Sequence, residues 1–354
     1  MNSSRKQTIY DIAKKAGVSA STVGSALNGT WKNRRISEST VHRIQAIADE
    51  LNYSVNLQAR ALRNAKSGLV GMVLPQHDNR FFSSIGQCFS NETRAREALP
   101  VIVSAKRDQN QELDAVRGLI NSSVDALMLV GISHPEVLCE ICKKANVPHV
   151  FVDQPCNSAP SVVTENKLGG RMLTEVMIEE IGFHELKDVV FLGGDANLPA
   201  TEQRILGFKA ALQAKGHKTV PEQILACGYQ RAAAKQALSN YYQRRKSLPK
   251  GLLVNSNGGF EGALEFLIQL PQAEVDACTI AAYDYDPFGS LLRHPVPMVR
   301  QRAEEMVKRA YQHLDDNDTE PQVTLIEPEL VLPNSIKRHG TDMTEESSSD
   351  PLEP

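Results

Sequence analysis

From Thr8 to Leu51 the apolar positions recur at helical spacing. Ile9, Ile12, Ala13 and Ala16 fall on one face, so Ile9–Ala16 reads as a short helix. Gly17 then supplies a turn that a side chain would hinder. Ser19 is placed to cap a second helix, because its hydroxyl can accept a bond from a free backbone N–H. Val23, Ala26 and Leu27 would bury that helix against the first, leaving Ala20, Ser21, Thr22 and Ser25 pointing outward. Small polar side chains near a helix N-terminus suit a helix pressed into a DNA major groove, although an ordinary helical hairpin shows the same spacing. Trp31–Arg35 reads as a basic loop. Ser37 caps a third helix running to about Leu51, with Val41, Ile44, Ile47, Ala48 and Leu51 as its buried stripe.

Between Ser54 and Arg63 the pattern is helical but has little to bury. A segment that short is marginal in water by itself, and a plain linker is the simplest reading. From Gly68 the period changes. Apolar runs at Leu69–Leu74, Val101–Val103, Ala126–Val130 and Val150–Asp153 predict strands, separated by helices at Ile85–Ala98, Leu113–Ile120 and Glu136–Ala145. The last of these strands is expected to close one half. The alternation resumes with a helix Lys167–Ile181, a strand Val189–Leu192, a helix Thr201–Lys215, and strands Leu252–Val254 and Thr279–Tyr283. Repeated strand–helix alternation with wholly apolar strands predicts parallel, doubly wound sheets, and there is enough here for two. The expected fold is therefore α-helical at the N-terminus, followed by a two-lobed α/β domain with a hinged cleft. The expected boundaries are 1–53, 54–65 and 66–334, with a polar, acidic tail at 335–354 read as disordered.

Charge sharpens this picture. Up to Lys66 there are eleven Lys and Arg against four acids, a net +7, and the rest of the chain carries −10. A basic head on an acidic body suits a nucleic-acid-binding module joined to something else. No run of 18 apolar residues is present, so no membrane span is expected, and the polar start, MNSSRKQ, does not read as a signal peptide. Six scattered cysteines in a chain of 354 residues are not a disulfide framework. Cys139 and Cys142 form a C-x-x-C with no second pair, short of the four ligands that zinc needs, so a buried helix face is expected. Together these features point to the cytoplasm, with no metal and no cofactor.

Thr8-Ile9-x-Asp11-Ile12-Ala13, Ala16-Gly17-Val18-Ser19, Thr22-Val23 and Leu27-Asn28 closely resemble the headpiece of the lactose repressor family. The resemblance continues through Ile36-Ser37, Thr40, Leu51-Asn52-Tyr53 and Ala59-Arg60-x-Leu62. It implies a helix-turn-helix, a palindromic double-stranded DNA operator and a homodimer. The DNA contacts it implies are Thr8, Ser19, Ala20, Ser21, Thr22, Ser25, Asn28 and Arg34, with Ala59, Leu62 and Arg63 from a hinge helix at 54–65. In the family that helix folds when two subunits sit side by side on DNA, and a leucine, here Leu62, wedges into the minor groove. The chain departs from the pattern at Val55, where Pro is frequent, at Gly24, where Ser is usual, and in its longer Trp31–Arg35 turn. It lacks the leucine heptad that makes the lactose repressor itself a tetramer.

In open parallel sheets ligands bind beyond the carboxyl ends of strands. Asn79, Phe81 and Phe82 follow the first strand and match the family's N-P-F-F, with Arg80 in place of Pro. An aromatic can stack on a ring, and Asn can bond a hydroxyl; either Phe can equally be core. Asp153 ends a strand. Arg204 lies in Arg204-Ile205-Leu206-Gly207-Phe208, matching R-x-x-G-[FW], and Asp284 matches the family's G-Y-D. Ser256 and Asn257 fall where other members carry N-D. Carboxylates and Arg at one cleft can clamp ring hydroxyls in bidentate fashion, or pair structurally between lobes. Phe191–Gly194 through Leu198-Pro199, the stretch Leu252–Gly262 and NGTWKNRRIS all resemble the fructose- and sucrose-responsive branch. Purine-responsive members carry an Arg six residues before the position of Arg204, where this chain has Leu198, so a sugar or sugar phosphate is expected. The sequence lacks a G-x-G-x-x-G after a strand, a P-loop and clustered His. A transcriptional repressor is thus expected, and not an enzyme. The alternatives are a sugar-binding protein or a sugar enzyme with an appended DNA-binding-like domain.

Overall fold

The computed structural model describes residues 7–27, 29–51, 53, 66–294 and 296–333, which divide after Gly68 into two compact units. The proposed hinge helix at 54–65, with Ala59, Leu62 and Arg63, lies outside the described residues, as do Asn28 and the tail.

The first unit is three helices, α1 (Ile9–Ala16), α2 (Ala20–Leu27) and α3 (Glu38–Glu50). Thr8 opens α1 by donating its N–H and its hydroxyl to Asp11 Oδ2 at 2.8 and 2.7 Å. Gly17 ends α1 at φ 65°, a left-handed turn that a Cβ would strain. Ser19 Oγ accepts Thr22 N at 3.1 Å and Ser37 Oγ accepts Thr40 N at 3.3 Å, so both expected caps are in place. Ile12, Val23 and Ile44 are fully buried at the centre, one from each helix. The basic loop forms a short 3-10 turn, Lys32–Arg34.

The second unit has two six-stranded sheets. The first runs β11-β5-β4-β3-β1-β2 and is parallel throughout. Its strands are β1 (Leu69–Leu74), β2 (Leu99–Ser104), β3 (Ala126–Val130), β4 (His149–Val152), β5 (Ser161–Thr164) and β11 (Val323–Ile326). Side chains alternate faces along a strand. Met72 and Leu74 therefore pack under α4 (Arg80–Ala95) and α12 (Ala303–Asp315), and Val73 under α5 (Gln109–Asn121) and α6 (Pro135–Lys144). Cys139 and Cys142 are fully buried in this second layer.

The other sheet runs β12-β10-β9-β8-β6-β7, parallel except for the β10–β12 pair. It comprises β6 (Val189–Leu192), β7 (Ile224–Leu225), β8 (Gly251–Val254), β9 (Thr279–Tyr283), β10 (Met298–Arg300) and β12 (Glu329–Val331). Helices α7 (Asn166–Ile181) and α8 (Pro199–Ala214) cover one face, and α9 (Arg231–Arg245) and α10 (Asn257–Leu267) the other. A short α11 (Gln272–Asp276) precedes β9.

The order 2-1-3-4-5 thus appears twice. The chain passes between lobes three times, at β5–α7, at β10–α12 and between β11 and β12. Val150–Asp153 therefore does not close the first half: β5 and β11 extend that sheet. Both strands were missed because polar residues break their apolar runs: Ser161 and Thr164 leave only two valines in β5, and Thr324 interrupts β11, whereas the equally short β4, β6 and β8 hold three or more consecutive apolar residues.

Helices α7 and α8 cross at two glycines. A Cβ on Gly207 would lie 2.1 Å from Lys167 O, and one on Gly170 2.4 Å from Arg204 O. Both obstacles are backbone, which cannot swing away. Gly207→Ala is expected to destabilise the domain by about 2 kcal/mol or more through overpacking, read as a lower denaturant midpoint. An unchanged midpoint would show that the two helices separate freely.

Candidate functional site

On the headpiece, Ser19, Ser21 and Arg34 are exposed, and Ala20 and Thr22 are half-buried. Ser25 corrects the expectation: it is buried, with 6% of its surface exposed. The chain turns at Gly29 (φ 73°), and Thr30 N donates to Ser25 O at 3.1 Å, so the returning loop lies against this residue. Ala20 also packs partly against the headpiece core. The outward face of α2 is therefore its first turn. Thr8 spends its hydroxyl on Asp11.

In the two-lobed unit the carboxyl ends of both sheets face one cleft. Asp153 follows β4 and Asp284 follows β9, equivalent strands of the two lobes, and both are buried at left-handed φ of 71° and 72°. Non-glycine residues held there are strained and cluster at ligand sites. Asp284 Oδ1 accepts Gln301 Nε2 at 2.7 Å, and Thr164 Oγ1 donates to Gln301 Oε1 at 2.6 Å. Two of the interlobe crossings are thereby tied to a cleft carboxylate. Burial pushes the Asp153 carboxyl above its ordinary range, against the pull of Arg107 and Arg204.

Arg204 is buried behind the cleft. Its Nε donates to Asn166 Oδ1 at 2.8 Å, its Nη1 to Asn255 O at 2.7 Å, and its plane lies 3.6 Å from the Tyr283 ring centre. Two of its five N–H donors are thereby committed to the protein. Arg204 forms no salt bridge with Asp153 or Asp284 among the described residues.

Two cavities flank this floor. One, of about 720 Å³, is lined by Asn79, Phe82, Arg107, Tyr229, Ser256 and Asn257 among others. The second, of about 700 Å³, is lined by Phe81, Asn257, Asp284 and Gln301 among others. Both volumes fit a small molecule. Arg80 and Asn257 border both cavities, and Arg80 Nε bridges the lobes to Asp286 Oδ2 at 2.9 Å. Phe81 and Phe82 also belong to the lobe core. Asn79 caps α4, its Oδ1 accepting from Phe81 N and Phe82 N at 3.0 and 3.3 Å. Ser256 caps α10 through Gly259 N at 3.4 Å. Asp153 and Arg204 line neither cavity.

The side-chain amides of Asn255 and Asn257 are buried with no hydrogen-bond partner, and the Tyr283 hydroxyl is buried with Arg204 acting on it. Orphaned buried polar atoms are rare and costly, and of these three residues Asn257 borders both cavities. Asn166, Gln301, Arg107 and Tyr229 were not singled out from the sequence. Gln301 directly follows β10 and Asn166 lies two residues past β5, so reading those strands and applying the strand-end rule would have found both.

Residues 8–56 match the bacterial regulatory proteins of the lacI family, and residues 70–289 match the periplasmic binding protein domain. The chain is 38% identical over 192 residues to the ribitol operon repressor of Klebsiella aerogenes, covering 54% of this chain and 71% of that one. It is 31% identical over 271 residues to the sucrose operon repressor of Klebsiella pneumoniae, covering 75% and 78%. The lac repressor dimer bound to operator and the anti-inducer ONPF shares the fold, with TM-score 0.76 and 19% identity over 93% of this chain and 98% of that one. So does the Cra transcriptional dual regulator from Pseudomonas putida in complex with fructose 1-phosphate, with TM-score 0.67 and 18% identity over 75% and 98%. The chain belongs to the lacI family of bacterial regulatory proteins: it is a DNA-binding transcriptional regulator with a two-lobed periplasmic-binding-type domain. Among the described residues no group of His, Cys, Asp or Glu is placed to hold a metal, and no helix is long and apolar enough to cross a membrane.

Proposed function

We propose that this regulator is a repressor switched by a small sugar-type effector, a sugar or a sugar phosphate, bound between the two lobes, and that it has no catalytic role. The orphaned amides of Asn255 and Asn257 carry this reading. Asn257 lines both cavities, one of them together with Asp284, and Asn255 stands two residues before it; their unmet donors and acceptors are the set that a polyhydroxylated ligand satisfies. An effector changes DNA affinity only by binding the DNA-competent and free states unequally. Thermal unfolding of the full chain with a panel of sugars and sugar phosphates tests it. A ligand at about a hundred times its Kd adds about 2.7 kcal/mol, which for a domain of this size raises the midpoint by several degrees. A panel without a single shift would remove the sugar.

On the DNA side the proposed contacts are Ser19, Ser21, Thr22 and Arg34 from the headpiece surface, with Ala59, Leu62 and Arg63 from a hinge helix. Ser21→Arg is expected to change the sequence selected from a random pool, because a long donor can address guanine in the major groove. An unchanged motif would rule out α2 as the reader. A symmetric operator needs paired heads, so light scattering should give twice the 38.9 kDa chain mass; a monomer at micromolar concentration would contradict this.

A further inference from the structure

The larger cavity is chemically uneven. Its lining holds the orphaned amide of Asn257, two residues after that of Asn255. It also carries four cations, Arg80, Lys106, Arg107 and Arg231. Two of these are neutralised: Arg80 pairs with Asp286 and Arg231 with Glu265, each at 2.9 Å. The other two, Lys106 and Arg107, take part in no salt bridge between described residues. They follow β2, and the loop that holds them is fixed on both sides. Lys106 N donates to Pro75 O at 2.7 Å, Ser133 Oγ donates to Arg107 O at 3.2 Å, and Asp108 caps α5. The Arg107 guanidinium lies 5.7 Å from the Phe82 ring centre and 5.1 Å from that of Tyr229, so it sits between an aromatic of each lobe. Ring faces hold a guanidinium without using its N–H donors. Asp153 and Glu112 act on Arg107 through Coulomb attraction but form no hydrogen bond with it.

We propose that Lys106 and Arg107 form an anion-binding end of the cleft, and that the effector is a sugar or polyol monophosphate. Its hydroxyls meet the buried amides, and its phosphate lies on these two cations, with bidentate contact from Arg107. This rests on the reading of the cleft as a sugar site and narrows the ligand to its phosphorylated class. Tyr229 belongs to the opposite lobe, so a phosphate on Arg107 touches the seam between lobes, where it can favour one closure over another.

The test is thermal unfolding of the full chain at constant ionic strength. The probes are ribitol, fructose and glucose, a monophosphate of each, and inorganic phosphate against chloride. At least one monophosphate is expected to bind about tenfold or more tighter than its neutral parent, and inorganic phosphate alone to raise the midpoint. Both increments should vanish in the double variant Lys106→Gln/Arg107→Gln, which also controls for general salting effects of phosphate. Lys106 is exposed, so Lys106→Gln alone, with a partial loss, serves if the double variant melts early. A neutral sugar that binds as tightly as its monophosphate, or a phosphate increment retained in the variants, overturns the anion end while the sugar reading stands. Inorganic phosphate bound through Lys106 and Arg107 with no sugar of either kind bound would do the reverse.

Discussion

Asn257→Ala is expected to weaken the effector response greatly while leaving affinity for operator DNA unchanged and the free protein at least as stable. The side chain is buried, borders both cavities, and its two amide atoms have no partner. Truncating a buried Asn that is hydrogen-bonded within the protein strands its partners and costs about 1–3 kcal/mol of stability. An orphan has no partners to strand, so its removal relieves a desolvation cost. A ligand that had satisfied it loses two hydrogen bonds, about 1–3 kcal/mol together, or roughly 5- to 150-fold in affinity. Calorimetric titration of the effector and thermal unfolding of the free protein separate the cases. A lower unfolding midpoint with unchanged effector affinity would make Asn257 structural.

Leu62→Ala is expected to weaken specific binding far more than non-specific binding. Non-specific affinity comes mainly from phosphates neutralised by Lys and Arg, and this change removes no charge. Specific binding in the proposed mechanism needs a kinked groove, whose unstacking costs a few kcal/mol and is sustained by the wedge. Loss on the order of 2 kcal/mol, about thirtyfold, is expected at the operator, with the salt slope of non-specific binding unaltered. Equal operator affinity at matched salt would reduce residues 54–65 to a tether.

The headpiece helices were legible almost to the residue, because they are set by local signals: Ser19 and Ser37 as caps and Gly17 as a stop. Ser25 was misplaced because its burial comes from the chain returning at Gly29–Thr30, a contact that no helical period encodes. In the lobes, strands with three or more consecutive apolar residues were found, the four-residue β4, β6 and β8 among them. β5, β11 and β10 were not, since Ser161, Thr164, Thr324 and Arg300 leave only two consecutive apolar residues in each. That loss propagated to the site, where Asn166 and Gln301 went unnoticed behind unread strands. Arg204 was found by its motif, but its partners within the protein were not. The motif marks its position, whereas Asn166, Asn255 and Tyr283, which hold one side of its guanidinium, come from distant parts of the chain.

The central claim joins DNA reading to a sugar-type ligand in the cleft, and selection from a random DNA pool by the full chain, with and without a bound sugar or sugar phosphate, addresses both halves together. A palindromic sequence should be enriched, and its affinity at fixed salt should change by about tenfold or more when the effector binds, matching the 1–3 kcal/mol typical of coupled sites. Selection of no palindrome, or a ligand that binds the cleft and leaves operator affinity where it was, would contradict it.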